Sequence, residues 1–424
     1  MSVGFDVRAA DARHLWHPYT QHGLGETPVH VVRGSGAHLY DEGGRAIFDA
    51  ISSWWVTLHG HAHPSIAAAI AEQAQRLEQV IFAGFTHEPA ARLAAELVRV
   101  APQGLSRVFF SDDGSTAVEV AVKIALQYWR NRGESRRLVV ALEHAYHGDT
   151  FGAMSVSARG LFTGPFSDHL FEVVRLPDPA TSDVVTAFDA VIAARGGELA
   201  ALIVEPMVLG AGGMRFWSAD SLRALRERCG AQGIPFIADE VMTGFGRTGP
   251  LFACEHAGVT PDLLCLSKGI TGGFLPLGAT LATEALFESF SSSDRTRTLF
   301  HGHSYSANPI ACAAALASLA LLNDHCAAHR RRIEASHRGW ATRLGATPGI
   351  RNVRVLGTIL VAELAVDDTG YLSGAGPALR AFALERGVLL RPLGDTVYLL
   401  PPYCSTDTDL AGACEVIVDF VSRQ

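Results

Sequence analysis

A lysine that closes an apolar run and is followed at once by glycines is well placed to react with an aldehyde. Lys268 ends DLLCLS (262–267) and precedes Gly269-Ile270-Thr271-Gly272-Gly273. Its amine can form a Schiff base and, once released, carry a proton. Asp239 lies in PFIADEV (235–241), at the carboxyl end of a β-type run, which is where ligands of parallel sheets bind. Beside a pyridine nitrogen, its carboxylate would keep that nitrogen protonated and make the ring an electron sink. In Ser111-Asp112-Asp113-Gly114-Ser115-Thr116 a strand passes into a helix through a glycine and two hydroxyl residues. Backbone N–H groups and the helix dipole there can hold a phosphate. Each feature alone has a plain structural reading: a solvated strand end, an aspartate capping a loop, a serine N-cap. The order of phosphate loop, aspartate and lysine on three successive strand ends fits one ligand, a phosphorylated pyridine aldehyde.

These residues need a scaffold, and the surrounding pattern predicts one. Between about 104 and 268, short apolar runs such as RVFF (107–110) and ALIVE (201–205) alternate with helical periodicity, which predicts an α/β unit around a mainly parallel sheet. Val118, Val122, Ala125 and Trp129 recur at helical spacing over 115–132, with Gly133 placed to stop the helix. A second, Ala-rich helix is expected over 308–322. From about 326 the pattern becomes helix, strand (354–364), helix (376–386), two strands (388–392 and 396–400) and a last helix to Val421. The expected organisation is therefore a large domain over 56–325 and a smaller α+β domain made from 1–55 and 326–424.

The 424 residues are 48% apolar and carry a net charge of −8, which allows a large core and gives no global attraction to nucleic acid or anionic membranes. The N-terminus MSVGFDVRAADARHLWHPYT lacks an apolar signal core, and the longest apolar run, near 311–322, is short for a bilayer. The expectation is a cytoplasmic protein. Seven scattered cysteines without a C-x-x-C pair read as reduced, mostly buried thiols. GFGRTG (244–249) matches a dinucleotide fingerprint in form only, since Pro250 follows and no helical pattern opens there. His59, His61 and His63 alternate, but a structural turn before Pro64 is the simpler reading and no metal is expected.

The run ADEVMTGFGRTGPLFACEHAGVTPDLLCLSKGITGG (238–273) is similar to the signature of fold-type I, class III aminotransferases. Within that class HLWHPYT (14–20), SSWW (52–55), YHGDTFGAMSVS (146–157), GAGGMRF (210–216) and the segments around 391–403 resemble the diaminononanoate synthases of biotin synthesis. The resemblance covers nearly the whole chain. It implies a pyridoxal 5'-phosphate enzyme acting on small molecules as a homodimer with shared sites. By that resemblance Lys268 is the Schiff-base lysine, Asp239 the pyridinium partner and Tyr19 a further catalytic residue. Gly114 and Ser115 cradle the phosphate, Tyr146 stacks on the ring, and His303 and Ser304 reach the neighbouring subunit's cofactor. Trp54, Tyr146, Gly302, Arg391 and Tyr398 line the substrate pocket, with Arg391 facing the carboxylate of the keto acid. The implied reaction moves an amino group from S-adenosylmethionine to 8-amino-7-oxononanoate. Lysine as donor is the alternative, because HGHSY (301–305) and RPLGD (391–395) resemble lysine-using relatives.

Several positions depart from the family pattern. Asp113 stands where a small hydroxyl residue is usual, and a carboxylate beside a phosphate is repulsive unless it points away. His144-Ala145 replaces Asn-Gly before Tyr146, Leu209 replaces a common glutamine, and ARGLFTGPF (158–166) is atypical. An ω-amino acid aminotransferase is the nearest rival, yet the glutamate that such enzymes use to toggle an arginine is here Ala211. A racemase or aminomutase would use the same lysine and aspartate. A cofactor-holding regulator without activity would have no need of an electron sink.

Overall fold

In the computed structural model, which describes residues 5–423, the chain opens with a helix, Val7–His14, and then three antiparallel strands, β1 (Val31–Ser35), β2 (His38–Asp41) and β3 (Ala46–Asp49). Residues 1–4 of the segment assigned above to the smaller domain, and residue 424, lie outside the described residues.

The strands that carry the site follow: β4 (Leu105–Ser111), β5 (Leu138–Leu142), β6 (Val173–Leu176) and β7 (Leu199–Val204). After a short ribbon, β8 (Val208–Leu209) with β9 (Arg215–Phe216), come β10 (Phe236–Asp239), β11 (Leu263–Leu266) and β12 (Gly278–Thr283). Seven of these form one sheet in the order β4-β12-β11-β10-β7-β5-β6. Every residue of β5, β7, β10 and β11 is buried, as strands covered by helices on both faces must be. The sheet is parallel except at β12, which runs antiparallel to both β11 and β4. The phosphate-loop strand β4 is therefore separated by β12 from the strands of Lys268 and Asp239. The three strand ends share one edge of the sheet, but only β10 and β11 are lateral neighbours.

The expected helix over 115–132 is Gly114–Asn131, and it buries Val118, Val122, Ala125 and Trp129 as its spacing requires. The apolar run near 311–322 is the helix Pro309–Ala320, largely buried; among the described residues no single helix is long and apolar enough to cross a membrane.

The single strand expected over 354–364 is instead a hairpin, β13 (Ile350–Leu356) and β14 (Ile359–Leu364). Gly357 turns it at φ 54, and a Cβ there would meet backbone at 2.3 Å, so the apolar pattern runs on through a turn that only glycine fits. Two strands close the chain, β15 (Val388–Leu389) and β16 (Thr396–Leu399), before the helix Asp407–Val421. β16 extends the β13–β14 hairpin, whereas β15 pairs in parallel with β3. Segments from the two ends of the chain thus share a sheet. The central helix-covered sheet with a mostly parallel register is the α/β architecture that the sequence predicts.

Candidate active site

Lys268 is the first residue beyond Ser267, in the short connection from β11 to β12, with φ 43. Ser267 Oγ donates to Leu277 O at 2.8 Å and ties the two ends of this connection together. The left-handed backbone of Lys268 is uncommon for a side chain with a Cβ, and such positions concentrate at functional sites. Lys268 is partly buried, and loss of solvent around its amine lowers its pKa; Asp239 and Glu205 oppose the shift. The amine lies 4.6 Å from the ring centre of Trp55. Desolvation therefore favours the neutral, nucleophilic amine in this enclosure.

Asp239 ends β10, next to β11, and is 5% exposed. His147 Nδ1 donates to its Oδ2 at 2.6 Å, and Val241 N donates to its Oδ1 at 3.1 Å. Glu205, just past β7, is equally buried. It accepts from Tyr146 N at 2.8 Å and from Gly210 N at 2.9 Å, and burial pushes its pKa up to about 7, with Asp239 adding to the rise and His147 opposing it.

Gly114 opens the helix after β4. Asp113 does not point at the space in front of it: its carboxylate accepts from Thr116 N at 2.8 Å, and Thr116 Oγ1 accepts in return from Asp113 N at 3.1 Å. The residue that departs from the family pattern is thus consumed as a helix cap. Ser115 Oγ accepts from Asp149 N at 3.2 Å. Gly148, at φ +131, packs so closely that a Cβ would lie 2.1 Å from Ser115 Oγ. His144, in the turn before Tyr146, takes φ 63 without being glycine.

Gly114, Ser115, Tyr146, Asp239 and Lys268 line one cavity of about 410 Å³. A half-buried lysine, a buried carboxylate paired to histidine and a glycine-backed helix start converge on it. That donor set fits a pyridoxal phosphate ring and phosphate, with the close approach of Gly148 leaving Ser115 Oγ and the helix N-terminus free of side-chain cover.

The remaining expected residues lie outside this cavity. Tyr19 OH is 3.1 Å from Tyr146 OH and donates to Asp149 Oδ2, with burial and Asp149 pushing its pKa up to about 12. It borders Trp54 and Phe162 edge to face. Arg391 stacks over Trp54 at 4.4 Å, and both border a separate cleft of about 330 Å³. Tyr398 does not line the cavity; it is 1% exposed and accepts from Trp55 Nε1 at 3.0 Å, so it supports the ring that faces Lys268. Gly302, His303 and Ser304 stand on an exposed segment, where His303 Nε2 is 3.7 Å from Asp112 Oδ1 and Ser304 O accepts from Gln79. Leu209 is buried in β8.

Four functional elements escaped the sequence reading. His147 and Gly148 sit inside the quoted YHG, and Glu205 inside ALIVE, yet nothing local marks them as partners of Asp239, Ser115 and Tyr146. Arg247, read only as part of a false fingerprint, is fully buried and donates to Pro401 O and Trp55 O, both at 3.0 Å. The fourth is the conformation of SSWW. Ser52, Ser53, Trp54 and Trp55 all have left-handed φ, at 52, 46, 68 and 76. Four consecutive left-handed residues with side chains cost about 1–2 kcal/mol each, so their surroundings must hold them. Of the alternating histidines, His59 meets Ser318 and His61 meets Asp49; among the described residues no group of three metal ligands forms.

A sequence model of the aminotransferase class-III family matches residues 19–421. The chain belongs to the class III aminotransferases. Members of this class are pyridoxal-phosphate-dependent transaminases, and the cavity is built for that cofactor. The chain is 52% identical to an adenosylmethionine-8-amino-7-oxononanoate aminotransferase of Synechococcus elongatus, over 97% of this chain and 99% of that protein. A protein of the same name from Mycobacterium leprae is 42% identical over 97% and 96%. Among solved structures, the enzyme of that name from Methanocaldococcus jannaschii superposes with a TM-score of 0.95 at 33% identity, covering 98% of each chain. An amine transaminase from an uncultivated Pseudomonas, solved in its PLP-bound form, gives 0.91 at 31% identity, covering 97% and 98%.

Proposed function

We propose that this class III aminotransferase carries out the amino-transfer step of biotin synthesis, moving an amino group from S-adenosylmethionine to 8-amino-7-oxononanoate to give 7,8-diaminononanoate. The observation that carries the reading is the full-length likeness to relatives bearing that name, in a chain whose Lys268, Asp239 and Ser115 share one cavity. Bound pyridoxal phosphate supplies an aldehyde that takes up and returns the amino group, and a ring that accepts electrons. Lys268 would anchor it, and its free amine would carry the proton at the donor's Cα. Asp239, oriented by His147, holds the proton on the ring nitrogen. Gly114 and Ser115 bind the phosphate through the helix N-terminus. Tyr146, fixed by Glu205, covers the ring, and Tyr19 is hydrogen-bonded to it at the mouth. Trp54 and Arg391 receive the substrate tail.

Tyr19, Trp54, Phe162 and Tyr371 form a linked aromatic set beside Tyr146, which suits a large cationic donor. The His303 difference that points to lysine lies beside Asp112 and the phosphate cradle instead. Purified protein mixed with each donor separately tests the choice. Loss of the visible band of the lysine-bound cofactor with S-adenosylmethionine, and 7,8-diaminononanoate as the mass-spectrometric product, are expected. The same changes with lysine alone would reassign the donor.

The active unit of this reading is a two-fold dimer in the cytoplasm, with Ser304 of the partner subunit reaching each phosphate. Its support is a shared apolar surface: Gln79 and His87 bond to Ser304 O and Ala307 O, and Ile81, Phe85, Phe300 and Tyr305 are all at least 60% exposed around them. An apolar patch of that kind is a contact surface.

A further inference from the structure

The two tryptophans at the site leave one backbone turn in opposite directions. Trp55 lies under Lys268 Nζ and donates to Tyr398, while Trp54 meets Tyr19 and lies under Arg391. The turn between them is a single left-handed coil, closed by Trp55 N donating to Ile51 O at 2.8 Å and Val56 N to Ser52 O at 2.9 Å. Without Gly or Asn, this conformation needs contacts from outside in addition to those two bonds.

One of those contacts is a buried charge. Asp49, at the end of β3, is 0% exposed, and its Oδ2 accepts from Ser53 Oγ at 2.7 Å and from His61 Nε2 at 2.9 Å, while Oδ1 accepts from Ile51 N at 3.4 Å. The carboxylate thus grips the turn from both sides of Ser52 and is itself oriented by His61. His61 is fixed in turn by Gly34, where a Cβ would fall 2.6 Å from His61 Cβ, and by the bridge from Gly36 to His61. On the far side Ser52 Oγ donates to Leu400 O at 2.7 Å. A buried carboxylate satisfied by two side chains and a backbone amide is a rigid support, and rigid supports behind contact residues set binding geometry.

We infer that Asp49, oriented by His61, is a positioning residue that sets the splay of Trp54 and Trp55 and through them the affinity for substrate. It lines neither the cavity of Lys268 nor the cleft of Trp54 and Arg391. The inference rests on the reading above only in taking Trp54 and Trp55 as pocket walls, and its test separates the two.

Asp49→Asn, Ser53→Ala and His61→Gln are compared in the cofactor-free protein by near-UV circular dichroism of the tryptophan region, and in the holoenzyme by KM against kcat. Asn offers one acceptor oxygen where Asp offers two, so Asp49→Asn should alter the tryptophan spectrum and raise KM for both substrates tenfold or more, with kcat within about threefold. Ser53→Ala, which deletes only the link to the turn, should do the same to a smaller degree. His61→Gln keeps an N–H donor within reach and should restore most of the parental values. A folded Asp49→Asn with the parental spectrum and KM overturns the inference, as does a fall in kcat at unchanged KM. If Asp49→Asn does not fold, Ser53→Ala decides by the same two readouts. A parent inactive on these substrates would defeat the proposed reaction, while the tryptophan spectra would still judge the role of Asp49.

Discussion

His147 Nδ1 donates to Asp239 Oδ2 across 2.6 Å, with both side chains buried beneath the cavity that Lys268 closes. A histidine so placed holds the carboxylate in one orientation, as its proposed role beside the cofactor's ring nitrogen requires. Asp239→Asn keeps the shape but cannot hold a proton on that nitrogen. It should bind cofactor and lose roughly 10²–10³ in kcat, the usual loss for a displaced preorganised electrostatic partner. Steady-state rates on cofactor-saturated protein check this; parental kcat would remove the role assigned to Asp239.

Lys268→Ala should fold, by far-UV circular dichroism, and turn over at least about 10⁴-fold more slowly, since both the covalent anchor and the proton carrier are lost. Single-turnover measurements with excess enzyme check it. Full transamination by this variant would end the assignment.

Subunit sharing is tested by mixing. Lys268→Ala subunits combined with Ser304→Trp subunits should recover activity where each homodimer has little, because one site of the heterodimer draws an intact Lys268 from one chain and an intact Ser304 from the other. No recovery in heterodimers verified by affinity tags would count against shared sites.

His337 is buried in the helix Asp324–Gly345 with neither ring nitrogen hydrogen-bonded, and burial pushes its pKa down from 6.5 to about 3. In the unfolded chain it titrates near 6.5, so below that pH the unfolded state takes up a proton that the folded state resists. Its effect is absent above about 6.5, and stability is lost as pH falls toward 3, by up to about 1.4 kcal/mol per pH unit. His337→Leu should stabilise by about 1–3 kcal/mol at pH 7, by removing an unsatisfied buried polar group, and by more at pH 5. Urea midpoints of both proteins at the two pH values measure it. A gain that does not grow on acidification would show that the ring is not held neutral.

What was legible in the sequence is what local chemistry writes locally. Lys268 among glycines, Asp239 at a strand end and Gly114-Ser115 at a helix start could be read because strand ends and helix starts have short-range signatures. His147 and Glu205 were invisible because their meaning is their distance from residues 92 and 59 positions away. The antiparallel β12 was hidden because a buried strand looks the same in either direction. The β13–β14 hairpin was missed because the apolar pattern runs on through the turn at Gly357. Nothing in Ser52-Ser53-Trp54-Trp55 announces a left-handed coil, since propensity disfavours it and contacts from Asp49, Arg247, Tyr398 and Leu400 hold it.

Those holding contacts reach far along the chain, and that constrains how the protein is made. Ser52 is bonded to a carbonyl 348 residues later, Trp55 to a side chain 343 residues later, and β3 acquires its last neighbour only at Val388. During synthesis the ribosome releases the N-terminal tryptophans several hundred residues before their C-terminal supports, Tyr398 and Leu400, exist. The central sheet, whose strands all lie between 105 and 283, can close first. The substrate wall is therefore the last part of the site to form, and a nascent chain stopped short of β15 would carry Lys268 and Asp239 on a finished sheet with the aromatic side of the pocket still unbuilt.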